Sequence, residues 1–283
     1  MSPEAILAED LQHVLERPHR RPFLFGLCGS QGSGKSTLAR ALAHQFPSTV
    51  VLSLDDFYLT RVGRTQLARN IHPLLAVRGV PGTHDIGLAC AVFAALDRGE
   101  AVALPRFDKA TDDRVDPALW RLAPEGADLV IFEGWCVGAR PQPESALQEP
   151  VNQLERIRDP AAAWRRYVNA ALAGPYQRLF SRIDRLALLR APDWKQVYSW
   201  RSQQEQELRR SGATGEGLMD EEEVRTFISY YERLTRYILD EMPARADLVL
   251  QLDAARDCVG VSIKKRESPK PFRSGAAAPA GSA

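Results

Sequence analysis

The sequence predicts a three-layer α/β fold, with helices on both faces of a mostly parallel central sheet. Short apolar runs of strand length alternate with helical periodicity along most of the chain. A glycine-rich turn at 29–36 joins the first strand to the helix that follows. Two further apolar runs end in carboxylates, at Asp55 and Glu133. Because the carboxyl ends of parallel strands lie at one edge of a sheet, we expect these features to converge there.

The composition is that of an ordinary globular protein. Hydrophobic residues make up 45% and charged residues 26% of the 283 residues, which is enough for one large domain. The net charge of +1 gives no sign of a nucleic acid or membrane partner, and we expect neither. The four cysteines are far apart and form no C-x-x-C pair, which argues against a zinc site and favours a cytoplasmic location. The sequence leaves the oligomeric state open.

The strands and helices are predicted from apolar runs bounded by turn residues. The predicted strands are Phe23–Cys28, Thr49–Leu54, Asp128–Phe132, Asp184–Leu189 and Asp247–Leu252. The predicted helices run from Pro3 to about Glu16, from the end of the glycine-rich turn, from Ile86 to about Leu96, and over 151–158, 161–173, 191–210 and 220–239. The stretch 61–78 has weak periodicity and 138–150 is rich in Pro and Gln, so we expect an excursion and a loop.

The glycine-rich turn carries a phosphate-binding motif. It reads Gly29-Ser30-Gln31-Gly32-Ser33-Gly34-Lys35-Ser36, followed by Thr37, and it matches G-x-x-x-x-G-K-[ST] at every fixed position. The glycines let backbone N–H groups point at phosphate oxygens, and the following helix adds the positive end of its dipole. We expect all nine residues to contact the nucleotide, with Lys35 on the β- and γ-phosphates and the Ser36 hydroxyl on Mg²⁺. A dinucleotide fingerprint fits less well, because Thr37 stands where that motif needs a third glycine.

Lys35, Asp55 and Glu133 are the candidate catalytic residues. Phosphoryl transfer needs charge neutralisation and often a group that takes the acceptor proton, and Asp55 is placed for that second role. A carboxylate such as Glu133, at the end of a buried strand, is a typical partner of the nucleotide's Mg²⁺. Asp56 is expected to point elsewhere, and a turn or capping role is the alternative for it.

Loops at the same predicted edge carry several basic residues, namely Arg78, His84, Arg106, Lys109 and Arg114. Each residue alone is typical of a solvated surface. Together they favour a small anionic acceptor, because arginine binds carboxylate or phosphate bidentately. His84 has no partner at a spacing that indicates a metal ligand.

Arg201 lies on the predicted helix 191–210 and is a candidate contact of the nucleotide. A cation supplied from a helical lid stabilises the charge on a transferring phosphoryl group. The alternative is a charged helix face that makes i,i+4 pairs, for example with Glu205.

Other classes of nucleotide-binding protein fit less well. The sequence contains no N-K-x-D guanine motif and no L-S-G-G-Q transporter signature. These two absences weigh against a GTPase switch and against a transporter ATPase.

With these residues identified, the chain resembles the plant and fungal glycerate kinases, within the phosphoribulokinase and uridine kinase group. The resemblance runs from about Phe23 to Asp253. Besides the phosphate-binding motif it rests on ordered segments, namely Leu54-Asp55-Asp56-Phe57-Tyr58-Leu59-Thr60, Arg78-Gly79 with Gly82-Thr83-His84-Asp85, Pro105-Arg106-Phe107-Asp108-Lys109, Phe132-Glu133-Gly134-Trp135 and Val197-Tyr198-Ser199-Trp200-Arg201.

The resemblance implies a P-loop kinase fold with a helical lid, and phosphorylation of D-glycerate to 3-phosphoglycerate with ATP and Mg²⁺. It implies that Asp55 is the base, and that Tyr58, Arg78, His84, Asp85, Arg106 and Lys109 contact the acceptor. We divide the chain into an N-terminal helical segment (1–20), a P-loop kinase domain (21–263) and a disordered tail (264–283), since the tail composition has little to bury. The alternatives are another hydroxyl acceptor, such as a pantothenate-, nucleoside- or sugar-phosphate-like compound, or a non-catalytic ATP-binding regulator.

Overall fold

A computed structural model of the chain describes residues 1–210 and 220–264. The strands in these residues are β1 (Phe23–Gly29), β2 (Thr49–Ser53), β3 (Val102–Leu104), β4 (Phe107–Asp108), β5 (Asp113–Arg114), β6 (Arg121–Ala123), β7 (Leu129–Gly134), β8 (Arg185–Arg190), β9 (Leu248–Leu252) and β10 (Cys258–Ile263). The α-helices are α1 (Pro3–Leu15), α2 (Lys35–Gln45), α3 (Arg61–Asn70), α4 (Ile86–Asp97), α5 (Gln153–Arg158), α6 (Ala163–Ala171), α7 (Gln177–Phe180), α8 (Trp194–Arg210), α9 (Glu221–Ser229) and α10 (Glu232–Glu241).

The predicted mostly parallel sheet is confirmed. Its order in the described residues is β10-β9-β8-β1-β7-β2, and all pairs are parallel except β9 with β10. The register sets Ser53 opposite Glu133 and Cys28 opposite Gly134. The strands β1, β2 and β7 therefore end at the same edge, and the segments that follow them meet there.

The core lies on both faces of this sheet. Strand β1 is buried at all seven positions, as expected for a central strand of a parallel sheet covered on both sides. Leu24 and Cys28 belong to the cluster on one face, and Phe25 and Leu27 belong to the other. Helix α1 packs into the second cluster. The N-terminal helix thus shares the core of the sheet.

Three segments differ from their predicted description. Strand β2 ends at Ser53, because the chain enters a 3₁₀ turn at Leu54–Phe57 that contains Asp55 and Asp56. The excursion 61–78 contains helix α3, capped by Thr60, and a 3₁₀ turn at Pro73–Ala76. The expected loop 138–150 contains one 3₁₀ turn, at Glu144–Leu147.

One predicted helix runs further than expected, and another is interrupted. The helix predicted over 161–173 continues through a π-helical turn at Leu172–Tyr176, which accommodates Pro175, into α7. The helix predicted over 220–239 is two helices, α9 and α10, which are separated by a turn at Tyr230 and Tyr231. The turn buries Tyr231 against Trp135, a tertiary contact that helical periodicity does not reveal.

The antiparallel strand β10 was not predicted at all. It follows a tight turn after β9 and forms an edge of the sheet, and its outer side chains are exposed. Its last hydrogen bond joins the Lys264 amide to the Asp247 carbonyl at 2.8 Å. The rest of the predicted tail, 265–283, and the glycine-rich break at 211–217 lie outside the described residues. Within the described ranges, no helix has the length and the apolar character needed to cross a membrane.

Candidate active site

A cavity of about 600 Å³ opens at the carboxyl edge of the sheet. It lies between the motif after β1, the acids after β2, the loops before α4 and β5, and helices α8 and α9. Its lining consists of Gln31, Gly32, Lys35, Ser36, Asp55, Tyr58, Arg78, Lys109, Trp135, Arg201, Gln204, Glu207, Phe227 and Tyr231. Residues far apart in sequence thus converge on one cavity, as the predicted topology requires.

The motif after β1 has the geometry of a phosphate cradle. Gly32 and Gly34 adopt positive φ angles of 77° and 86°, which glycine adopts at little cost. Helix α2 begins at Lys35, directly after the loop. The first N–H groups of the helix have no hydrogen-bond partner within it, and they point towards the cavity. The hydroxyls of Ser30 and Ser33 are buried and have no hydrogen-bond partner in the described chain. This donor set fits the oxygens of a polyphosphate.

Ser36 and Glu133 form a site that fits a divalent cation. The Ser36 hydroxyl donates to Glu133 Oε1 at 2.9 Å. The second carboxylate oxygen, Oε2, is buried and has no hydrogen-bond partner among the described residues. Since hard oxygen ligands are those that Mg²⁺ prefers, and since Ser36 is the residue of the motif that binds it, the pair fits Mg²⁺ beside the phosphates.

Asp55 is held by two hydrogen bonds from opposite sides. Lys109 Nζ donates to Oδ2 at 2.6 Å, and the Tyr58 hydroxyl donates to Oδ1 at 3.0 Å. Burial raises the pKa of Asp55, but the positive charges of Lys109 and Lys35 outweigh burial and hold that pKa well below its usual range. Asp55 is therefore ionised at neutral pH. In turn, Asp55 raises the pKa of Lys109.

Asp56 points away from this pair, as expected. Its Oδ1 accepts a hydrogen bond from the Phe107 amide at 3.2 Å, which ties the start of β4 to the turn after β2. Burial raises the pKa of Asp56 to about 6; the Phe107 hydrogen bond lowers that pKa, and the charges of Asp55 and Glu133 add to the rise.

His84 is a buried neutral residue behind Tyr58. Its ring stacks on the Tyr58 ring with centroids 4.4 Å apart, and its Nδ1 lies 2.6 Å from the hydroxyl of Tyr176. Burial lowers the pKa of His84 to about 3, although the charge of Asp55 acts in the opposite direction. His84 therefore adds no positive charge to the site at neutral pH, and its contact with Tyr58 helps to orient the hydroxyl that holds Asp55.

Arg78 is oriented by a residue that sequence reasoning did not single out, Asp112. The Asp112 carboxylate pairs with Arg78 through one oxygen and with Arg64 through the other, the latter at 2.6 Å. Both guanidinium groups lie over the Phe107 ring, 5.4 Å from its centroid for Arg64 and 5.6 Å for Arg78. Arg64 is almost fully buried and also donates to the carbonyls of Leu59 and Ala76. These contacts hold the guanidinium group of Arg78 in one position, with its positive charge facing the cavity.

Several predicted residues do not line the cavity. Asp85 caps α4 by accepting from the Leu88 amide at 2.9 Å, and it pairs with Arg114 at 3.2 Å. Arg106 is exposed, and so is Thr37 in the first turn of α2. The expected acceptor contacts of His84, Asp85 and Arg106 stay predictions.

Helices α8 and α9 contribute lining residues that motif reasoning missed. Arg201 lines the cavity and lies 5.5 Å from the Phe227 ring centroid. It makes the expected i,i+4 pair with Glu205 at 2.8 Å, while its contact with the nucleotide stays a prediction. The lining residues Gln204 and Glu207 lie on α8, Phe227 lies on α9 and Tyr231 lies in the turn after α9, and none of the four belongs to a recognised motif. Only the helical spacing of Arg201 with Gln204 offered a signal in the sequence.

Comparisons with known proteins agree with this geometry. A family model described as "AAA domain" matches residues 24–84, which include the phosphate-binding motif and the acids after β2. The chain is 38% identical over 253 residues to the "Uncharacterized kinase mug58" of Schizosaccharomyces pombe, which covers 82% of this chain and 87% of that protein. It is 32% identical over 224 residues to the chloroplastic D-glycerate 3-kinase of Arabidopsis thaliana, which covers 74% of this chain but only 46% of the plant protein.

A solved structure extends the likeness to almost the whole chain. The D-glycerate 3-kinase of Cryptococcus neoformans superimposes with a TM-score of 0.77 at 26% identity, covering 92% of this chain and 99% of the other. The coverage and the TM-score show that the two chains share the same overall fold. The chain therefore belongs to the family of P-loop kinases that includes the D-glycerate 3-kinases, and it is an ATP-dependent phosphotransferase.

Proposed function

We propose that this kinase transfers the γ-phosphoryl group of ATP to a hydroxyl of D-glycerate, giving 3-phosphoglycerate and ADP. The observation that carries the proposal is the set of groups around one cavity. The phosphate-binding loop, the ionised Asp55 and the cations Arg78 and Lys109 all line it. A small acceptor with one carboxylate and a hydroxyl matches this set, and two relatives carry that activity in their names.

On the nucleotide side, Lys35 and the loop amides hold the β- and γ-phosphates. Ser36 and Glu133 would hold Mg²⁺, which when bound would supply positive charge beside the phosphoryl oxygens. Arg201 supplies a further cation from α8. In this arrangement the protein contributes positioning and electrostatic stabilisation, the two main terms in phosphoryl transfer.

On the acceptor side, Asp55 takes the proton of the attacking hydroxyl. Its low pKa makes it a weak base, but the transition state of phosphoryl transfer is loose, and an oriented carboxylate is sufficient. Lys109 is exposed at the cavity mouth and gives up part of its pairing with Asp55 when the acceptor's carboxylate arrives. Arg78 offers its remaining N–H groups to the same carboxylate.

The remaining expected acceptor contacts are part of the proposal. Tyr58 is part of the cavity lining and contacts the acceptor. His84 and Asp85 lie behind the lining and support it. Arg106 is exposed beside Phe107 and is the outermost cation of the set. We further propose that the enzyme works in the cytoplasm, which is supported by four free cysteines, two of them buried.

Acceptor-dependent ADP release, measured by a coupled assay with Mg²⁺ and ATP, tests the proposal. The panel contains D-glycerate, L-glycerate, glycerol, pantothenate and uridine, and Lys35→Ala is the inactive control. We expect D-glycerate to give the highest kcat/KM, and mass spectrometry with a 3-phosphoglycerate standard identifies the product. A higher kcat/KM with pantothenate or uridine would refute the acceptor. ATP binding without turnover on any member would favour a regulator.

A further inference from the structure

The turn between β9 and β10 contains a residue in a left-handed conformation. Arg256 has a φ angle of 72°, which costs a non-glycine residue about 1 kcal/mol or more. Asp253 closes this turn, because its carboxylate accepts from the amides of Ala255 and Asp257, both at 2.9 Å. A glycine or an asparagine suits such a position better, so an arginine there indicates that its side chain has a separate task.

The Arg256 side chain reaches the phosphate-binding loop. Its Nε donates to the Gly32 carbonyl at 2.5 Å, and its Nη2 donates to the Gln203 amide oxygen at 3.2 Å. The guanidinium lies over the ring of Trp200, 5.2 Å from the centroid. Trp200 is fully buried, and its Nε1 donates to the Ala254 carbonyl at 2.8 Å. The turn, helix α8 and the loop thus form one connected unit.

The loop is fixed from its other sides as well. A Cβ atom on Gly32 would lie 2.6 Å from the Cβ of Trp200, so α8 packs directly against the backbone of this residue. The peptide that joins Gly32 to Ser33 is held at both ends. Its carbonyl accepts from Arg256, and its N–H donates to the Ser30 carbonyl at 3.2 Å. Contacts within the protein therefore fix the orientation of this peptide plane.

We propose that Arg256 is a positioning residue for the nucleotide, which acts by orienting the Gly32 peptide of the phosphate-binding loop. With the Gly32 carbonyl turned outward to Arg256, the neighbouring N–H groups stay directed at the phosphates. A loop that is ordered in advance loses less conformational entropy when the nucleotide binds. Arg256 does not line the cavity, so this role does not depend on which acceptor the kinase uses.

Binding of ADP with Mg²⁺, measured by calorimetry on the full chain without any acceptor, tests the proposal. Three variants separate the causes. Arg256→Gly removes the guanidinium and the backbone strain together, Arg256→Ala removes only the guanidinium, and Arg256→Lys keeps the charge without the forked donor. Arg98→Ala is the control, because Arg98 is an exposed arginine paired with Glu100 away from the site.

We expect Arg256→Gly and Arg256→Ala to raise the Kd for ADP by about 10-fold, because the loop must then be ordered at the expense of binding free energy. Arg256→Lys should fall between these variants and the wild type. The KM for ATP should rise in parallel, while kcat and the acceptor KM stay within about twofold. The melting temperature of Arg256→Gly should stay close to that of the wild type, since relief of the backbone strain offsets part of the lost side-chain contacts.

Three results would overturn the proposal. Wild-type ADP affinity in Arg256→Gly would show that the contact does not order the loop. Wild-type affinity in Arg256→Lys would show that a positive charge near the phosphates is sufficient. A large fall in the melting temperature of Arg256→Gly, together with weaker binding, would assign Arg256 to the stability of the hairpin.

Discussion

Asp55 illustrates how the surroundings of one carboxylate set its chemistry. It sits between Lys109 and the Tyr58 hydroxyl, so its orientation is fixed and its charge is kept at neutral pH. Asparagine in its place would keep the shape and the contact with Tyr58 but could not accept a proton. The adjacent Asp56 has a similar exposure but is engaged by the Phe107 amide. Asp56 is therefore a suitable control position for a substitution at Asp55.

For Asp55→Asn we predict a kcat lower by about 10²–10⁴-fold, the usual effect of losing a positioned base, with ATP affinity within a few-fold of the wild type. Asp56→Asn should change kcat by far less, because the Asp56 carboxylate faces the start of β4. Steady-state kinetics with both substrates varied measures each change. If Asp55→Asn abolishes ATP binding, then Asp55 is a metal or nucleotide ligand and its assignment as base is wrong.

At the level of elements, the contact between the phosphate-binding loop and α8 allows a second prediction. Gly32 and Gly34 both have positive φ angles, but only Gly32 lies against a neighbour within 4 Å of the position of an added Cβ. Gly34→Ala should therefore lose about 1 kcal/mol of unfolding free energy from backbone strain. Gly32→Ala should lose clearly more, because its new methyl would also displace Trp200.

Urea unfolding of the two variants measures this difference directly. Gly32→Ala should also bind ADP more weakly in proportion to the displacement of the loop. An equal loss of unfolding free energy in the two variants would mean that α8 moves aside without an energetic cost. The close packing at Gly32 would then make no contribution to stability.

Elements with strong local signals could be predicted from the sequence, and elements defined by long-range contacts could not. The apolar runs of β1 and β7 and the fixed positions of the phosphate-binding motif are local, and both were confirmed by the structure. Among the described residues strand β10 pairs with β9 alone, and its outer face is exposed, so its sequence has no run of buried residues. The break at Tyr231 likewise depends on its packing against Trp135, which lies almost a hundred positions earlier in the chain.

The same distinction holds within the site. The sequence placed Lys35, Ser36 and Asp55 in one site, because strand ends of a parallel sheet converge by topology. It did not reveal Asp112, which pairs with Arg78, or Arg256, which contacts the phosphate-binding loop. It also assigned a charge to His84, whereas burial lowers the pKa of that imidazole below the neutral range.

Over the whole molecule, stability at mildly acidic pH should carry the signature of Asp56. Its pKa is about 6 in the folded state against 3.8 as the ordinary value, so between pH 4 and 6 the folded chain holds the extra proton. The Asp56 contribution to the unfolding free energy therefore falls as the pH rises through that window. His84, with a pKa lowered to about 3, contributes with the opposite sign over an overlapping range. The low pKa of Asp55 gives stability that is lost only further into the acid range.

Comparison of the wild type with Asp56→Asn isolates the Asp56 contribution from the others. We predict that the variant gains unfolding free energy relative to the wild type as the pH rises from about 4 to 6, by about 1–3 kcal/mol in total. Denaturant titrations at half-unit pH intervals measure the difference. A pH-independent difference between the two proteins would show that Asp56 titrates at its ordinary pKa.

The central claim is that the cavity binds the carboxylate of a small hydroxy acid between Arg78 and Lys109, beside Asp55. The most direct test measures kcat/KM for D-glycerate and for glycerol, which lacks the carboxylate, in the wild type and in Arg78→Met, with the exposed Arg106→Met for comparison. We predict that Arg78→Met lowers kcat/KM for D-glycerate by about 10–100-fold, mainly through KM, and leaves glycerol turnover and the KM for ATP almost unchanged. The effect of Arg106→Met should be smaller. Equal losses for D-glycerate and glycerol in Arg78→Met, or no preference for D-glycerate in the wild type, would contradict the claim.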